Sequence, residues 1–342
     1  MRDRIAFRRA LRLSGWLAFA LLLALSPIRA QQGAGERLEI AARPISNFRI
    51  GSSQTRFGPL EFTGGLEMTA SNRSFGALSS VRFLDAGTRL IGVADTGFWF
   101  SGSLEHDKQG RPAAIADFTM VPMRDPDGRT GHKWTTDAEA LAVRGSQATV
   151  GFERVHRVAV FALEEKAEPG PLLGERDFLV PPHELRSNRG FETLAFAPED
   201  GPLAGALVAV TEHSIDKAGN IFAAVLDGPR KGVFTVVRSD DFDITDGAFL
   251  PDGDLLLLER RFSMAAGVAM RLRRIEAGSI APGSIADGPV LLEADMAYQI
   301  DNMEALDVWQ RQDGATMVSL MSDDNHSILQ RNLYLEFRLL DE

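Results

Sequence analysis

DAEALAVRGSQATVGFER, residues 137–154, decides the fold. An acidic residue opens the stretch and a short apolar run follows. Arg144-Gly145-Ser146 makes a turn, and a second apolar run ends on Glu153. Both runs are too short for helices and are bounded by turn residues, so they read as strands buried on both faces. The same grammar recurs in GALSSVRFLDAGTRLIGVADTG (76–97), GFETLAFAPEDGPLAGALVAVTEH (190–213), TDGAFLPDGDLLLLERR (245–261) and NMEALDVWQRQDGATMVSLMSDDN (302–325). The spacing is roughly 53 to 60 residues, a period that marks stacked supersecondary units, none of which can bury its own faces. For β-rich units of this size the expected solution is a single all-β propeller of five blades, with six as the alternative.

A third strand follows in four units, at 156–161, 221–225, 270–275 and 333–337, and a fourth is expected in the first four units. The fifth unit runs out of chain after its third strand and would leave an unpaired edge, which is an association hazard. Residues 59–69 (PLEFTGGLEMT) are strand-like and precede the first unit. They are expected to close the ring by pairing with the C-terminal strand. Residues 38–50 supply an additional strand or arm. The expected organisation is therefore a leader at 1–30, an N-terminal arm at 31–58 and the propeller at 59–342.

The leader carries Arg2, Arg4, Arg8, Arg9 and Arg12, then an apolar core at 16–25, then Ile28-Arg29-Ala30 as a small-residue cleavage site. This reads as an export signal, with an N-terminal membrane anchor as the alternative. A periplasmic or secreted location is expected, with no stable membrane span after the leader is removed. Removing six arginines and one aspartate leaves 31 basic against 46 acidic residues, a net charge of about −15. That argues against nucleic acid, which needs a basic footprint. The chain has no cysteine, so neither disulfides nor a thiol nucleophile are available. A nucleophile elbow, a phosphate-binding loop and a zinc signature are all lacking, and His106 and His132 fall in expected loops.

Aligning the units on their first strand places Ser79, Glu139, Glu192, Asp246 and Glu304 in one slot. Inner strands of a propeller line its channel, so these side chains are expected to converge at its mouth. Bare carboxylates would repel; a hard divalent cation with oxygen ligands removes that cost, and calcium suits the set better than zinc. The alternative is that each acid caps its strand. A second layer closes the second strands: Asp95, Glu153-Arg154, Glu212-His213, Glu259-Arg260-Arg261 and Asp323-Asp324-Asn325. There, acids interleaved with Arg154, His156, His213, Arg260 and Arg261 could hold both a cation and an anionic group such as phosphate or carboxylate, or form only inter-blade ion pairs.

Phe75-Gly76-Ala77-Leu78-Ser79, Asp137 to Val143, Phe152-Glu153-Arg154, Gly190 to Ala195, Leu258 to Ser263, Asp301 to Leu306 and Ser322 to Asn325 together resemble the bacterial exported phytase-like family (esterase-like activity of phytase). Alanine stands at 77, 140 and 305, where the family commonly has glycine. The resemblance implies a propeller hydrolase of esters or phosphoesters, assisted by calcium and acting on a small anionic substrate. On this reading Glu139, Glu192, Asp246, Glu304, Asp323 and Asp324 are metal ligands. Arg154, Arg260 and Arg261 bind substrate, and Glu192, Glu304 and His213 are catalytic. The other reading is a non-catalytic periplasmic propeller that binds a ligand or partner on the same rim, with a structural metal.

Overall fold

The computed structural model describes residues 35–340, apart from 132, 165–167 and 188; the expected leader lies outside the described residues. Among the described residues there are five sheets of four or more strands, paired almost throughout in antiparallel fashion. Their innermost strands are Leu78–Leu84, Ala138–Arg144, Phe191–Phe196, Asp243–Phe249 and Met303–Gln310. Each abuts the next, and the fifth abuts the first, so the sheets are the blades of a five-bladed β-propeller.

The packing follows from the apolar runs. Alternating strand faces point to opposite neighbours, so a strand apolar on both faces is stable only between two blades. Five clusters of buried side chains result, one at each junction. Ile91, Trp99 and Leu141 join blades 1 and 2, and Val158, Phe191 and Leu207 join blades 2 and 3. Val208, Phe234 and Leu257 join blades 3 and 4, and Leu258, Met303 and Phe337 join blades 4 and 5. Leu66, Leu78 and Tyr334 join blade 5 back to blade 1.

Blade 5 is completed from the other end of the chain. Leu60–Thr69 pairs antiparallel with Asn332–Leu339, from Leu60 opposite Leu339 to Met68 opposite Asn332, with one register shift between Glu336 and Phe337. The ring closes as the sequence predicts. Ala41–Ile45 then pairs outside Leu60–Thr69, and Glu36–Arg37 pairs on the outer edge of blade 1. Blade 3 gains a short parallel strand, Ile285–Ala286, from the segment that follows the third strand of blade 4. No helix among the described residues is long and apolar enough to cross a membrane.

Candidate functional site: an acid-lined cavity at the channel mouth

Every inner strand carries a bulge at the same place. The register against its neighbour skips Ser79 in blade 1, Glu139 in blade 2, Glu192 in blade 3, Thr245 in blade 4 and Glu304 in blade 5. A bulge leaves one residue out of the ladder and re-aims its side chain. Ser79, Glu139, Glu192 and Glu304 line one cavity of about 180 Å³ at the end of the channel where the inner strands begin.

The structural equivalent in blade 4 is thus Thr245, one residue before the Asp246 expected from sequence. Thr245 is buried and donates to the Met303 carbonyl at 3.0 Å. Asp246 lies deeper and is fully buried. Its two oxygens accept from both terminal nitrogens of Arg82 at 3.0 Å, from Ser80 Oγ at 3.1 Å and from the Leu306 amide at 3.0 Å. Arg82 also donates to the carbonyls of Leu194 and Leu306, tying blades 1, 3, 4 and 5 together across the channel. Asp246 therefore anchors this cross-channel arginine and does not face the cavity. Thr245-Asp246 offers two oxygen side chains in succession, and only the bulge says which one is re-aimed.

The second layer shows the same offset. Asp95, Glu153, Glu212 and Asp323 line the cavity, and their amides donate to Ala77, Asp137, Gly190 and Asn302 in turn. In blade 4 the matching position, opposite Asp243, is Arg260, which lines the cavity. Glu259 points elsewhere, buried between Arg271 and Arg273. One blade of five thus supplies a cation to a ring of acids.

The acids fall into two groups. Asp95, Asp137 and Glu139 each bring an oxygen within 4.8 Å of the others, and so do Glu153, Glu192 and Glu212. Two of these oxygens, Asp95 Oδ1 and Asp137 Oδ1, are buried without a hydrogen-bond partner. A buried, unpaired carboxylate oxygen is costly, and a divalent cation is the partner that such a cage of oxygens fits. Protein cations also stand against the first group, one of them 3.7 Å from Asp137 Oδ1. Lys133 Nζ is 2.6 Å from Asp95 and 3.7 Å from Asp137, and Arg154 also pairs with Asp137.

The electrostatics have one cause. Burial first, then neighbouring acids, hold Glu139 and Glu192 well above the ordinary glutamate value. Burial raises Glu153 to about 7 against the opposing hydrogen bond from the Gly190 amide. Burial raises Glu304 to about 8 despite Arg260 beside it, and Asp323 to about 7. So many carboxylates buried together favour the protonated form of each, and a bound cation would offset the same repulsion.

The other expected site residues lie around this centre. Arg260 touches Glu304 and Asn302 and reaches Glu212 at 3.4 Å. Arg154 lies over the exposed Trp134 ring. Asp324 does not line the cavity; it accepts from the His326 amide and from Asn332 Nδ2, holding its own loop. His213 pairs with Asp243 at 2.5 Å, and Arg261 lies over the Phe242 ring. Both line a second, larger cavity instead, which shares Glu212 and Arg260 with the first. His106 is not in a loop: it ends the strand Phe98–His106 and meets buried Glu336 at 2.9 Å. His132 lies outside the described residues. Sequence reading gave no ligand role to Asp137, whose place beside Asp95 depends on the approach of two blades, nor any role to Arg82, a lone charge inside an apolar inner strand.

The fold and the site together describe a five-bladed propeller with a carboxylate-lined channel mouth. The chain belongs to the Phytase-like family (esterase-like activity of phytase), whose pattern matches residues 73–326. No curated protein matches it. Two solved structures are similar in outline. A protein described as an oxidoreductase (glucose dehydrogenase) from Thermus thermophilus has 13% identity and a TM-score of 0.36, covering 76% of this chain and 96% of its own. The structure of U3-55K has 10% identity and a TM-score of 0.37, covering 78% and 96%. At these values neither likeness carries an argument about activity.

Proposed function

We propose that the protein is an exported, calcium-assisted hydrolase of esters or phosphoesters, working at the acid-lined mouth of the propeller. The observation that carries this reading is the pair of three-carboxylate groups, one of which has two buried oxygens with no hydrogen-bond partner. Asp95, Asp137 and Glu139 would hold one cation, and Glu153, Glu192 and Glu212 a second. When bound, calcium supplies positive charge for a developing oxyanion and makes a bound water more acidic.

The chain's own residues do the rest. Arg260, fixed by Glu304 and Asn302, faces the cavity and offers its donor fork to an anionic group. Glu304, on the cavity wall beside Arg260, is the group assigned to protonate a departing alkoxide. Export rests on the basic start, apolar core and small-residue site of residues 1–30.

The test is turnover of p-nitrophenyl phosphates and carboxylic esters by the purified protein, with calcium and with chelator. Calcium-dependent hydrolysis is expected, and Glu192→Gln should lower it by at least about 100-fold with circular dichroism unchanged. Ligand binding without hydrolysis in either condition would instead mark a non-catalytic binding propeller.

A further inference from the structure

A cavity of about 960 Å³ opens beside the acid-lined one, and the two share Glu212 and Arg260. Cationic, acidic and apolar side chains all line it. Arg189, Arg238, Arg260 and His213 are cationic or polar; Phe262, Met296 and Leu329 are apolar. Each of the four acids among them has a cationic partner, and Glu212 meets both Arg189, at 3.9 Å, and Arg260, at 3.4 Å. Asp243 pairs with Arg238 at 2.8 Å and with His213, Asp241 with Arg238 at 3.4 Å, and Asp301 with Arg331 at 3.5 Å.

The apolar part is out of keeping with the rest of the surface. Ile328, Met264 and Leu329, at 100, 94 and 87% exposure, are the three most exposed large apolar side chains among the described residues. All three lie on the two segments flanking this cavity, the hairpin turn at 263–267 in blade 4 and the loop at 323–331 in blade 5. Phe262 at 65% and Met296 at 57% join them. None of the five belongs to an inter-blade core cluster. Met296 leans over the hairpin, where a Cβ on Gly267 would stand 2.9 Å from its Cγ. Exposed apolar side chains gathered beside a concave, charged site mark a place where something apolar is taken out of water.

We propose that this groove takes the apolar arm of a dissolved anionic amphiphile, an ester or phosphoester of an alkyl or aryl alcohol. Its charged group meets Arg189 and Arg260, and its arm lies among Phe262, Met296 and Leu329. The proposal rests on the acid-lined cavity being the reacting centre, because Arg260 belongs to both cavities and sets the charged end at their common wall. A small polyanion with no apolar part would leave the lip in water. The charged wall and the apolar lip stand side by side in one cavity, which fits a single amphiphilic molecule in solution.

Isothermal titration of the calcium-loaded protein with ethyl-, hexyl- and decylphosphonate, none of which can be hydrolysed, tests the proposal. Kd is expected to fall about two- to fourfold per added methylene until the groove is filled. The double variant Phe262→Ser, Leu329→Ser should flatten that dependence and leave ethylphosphonate within about twofold. Both side chains are exposed, so folding is not at risk; a matching far-ultraviolet spectrum checks this. Equal affinity along the series, no binding at any length, an unchanged slope in the double variant, or binding only to phosphonate carried in phosphatidylcholine vesicles would each overturn it. Hydrolysis is read separately: length-dependent binding with no turnover of hexyl phosphate keeps the groove and removes the hydrolase reading. Turnover of ethyl and hexyl phosphate with the same KM removes the groove and keeps the hydrolase.

Discussion

Asp246 and Glu192 look interchangeable as text, yet the structure gives them opposite environments. Asp246 is buried against Arg82, and removing one partner of such a pair strands the other charge. Asp246→Asn should therefore cost about 3–5 kcal/mol in urea unfolding and leave calcium affinity unchanged. Glu192→Gln should do the reverse, weakening calcium binding while relieving repulsion among the acids. If Asp246→Asn weakened calcium binding and spared stability, the bulge-based alignment would be wrong. Among the three alanines read above against a family glycine, at 77, 140 and 305, the backbone conformation bears on one. Ala77 has φ of +56°, in the left-handed region, whereas Ala140 and Ala305 do not appear among the positive-φ residues. Backbone restriction is real at one of these positions only.

At the scale of elements, the closing strand is what turns five sheets into a ring. Leu60–Thr69 crosses the seam between chain ends and is buried along most of its length. Gly65 sits where a Cβ would stand 2.5 Å from the Tyr334 carbonyl and 2.9 Å from Leu335 Cδ2. A larger residue there must push the seam apart. Gly65→Val is expected to destabilise the fold by about 1–3 kcal/mol or more, seen as a lower urea midpoint; an unchanged midpoint would mean that the seam has slack. This strand was legible beforehand, because a unit missing its outer strand and an unassigned strand at the other end complete each other. The bulges were not. A bulge is a relation between two paired strands, and a single strand's letters do not disclose it.

For the whole molecule, the acid ring makes stability depend on pH and cation together. Glu153, Asp323 and Glu304 at about 7, 7 and 8, with Glu139 and Glu192 also raised, all have folded-state values above those of the unfolded chain. The folded state then binds more protons than the unfolded state between those limits. Metal-free stability is full below the ordinary carboxylate range and falls as pH rises through 7 to 8. On the proposed reading calcium competes with those protons, so the gain in Tm on adding it should be small near pH 5 and larger near pH 8, and chelator should abolish it. Scanning calorimetry at the two pH values decides this; an equal gain at both would remove the acid ring as the binding site.

The sequence by itself determined the repeat, the all-β class and the way the ring closes, and it favoured five blades over six, because these follow from local strand periodicity and from the count of strands per unit. It also marked most of the residues that line the channel mouth. Only the tertiary structure decided which oxygen of blade 4 faces the channel, that Arg260 takes an acid's place in the ring, and that Asp137 stands with Asp95 and Glu139. Each of those depends on register and on approach across blades, where a displacement of one residue changes what a side chain meets and the order of letters stays the same.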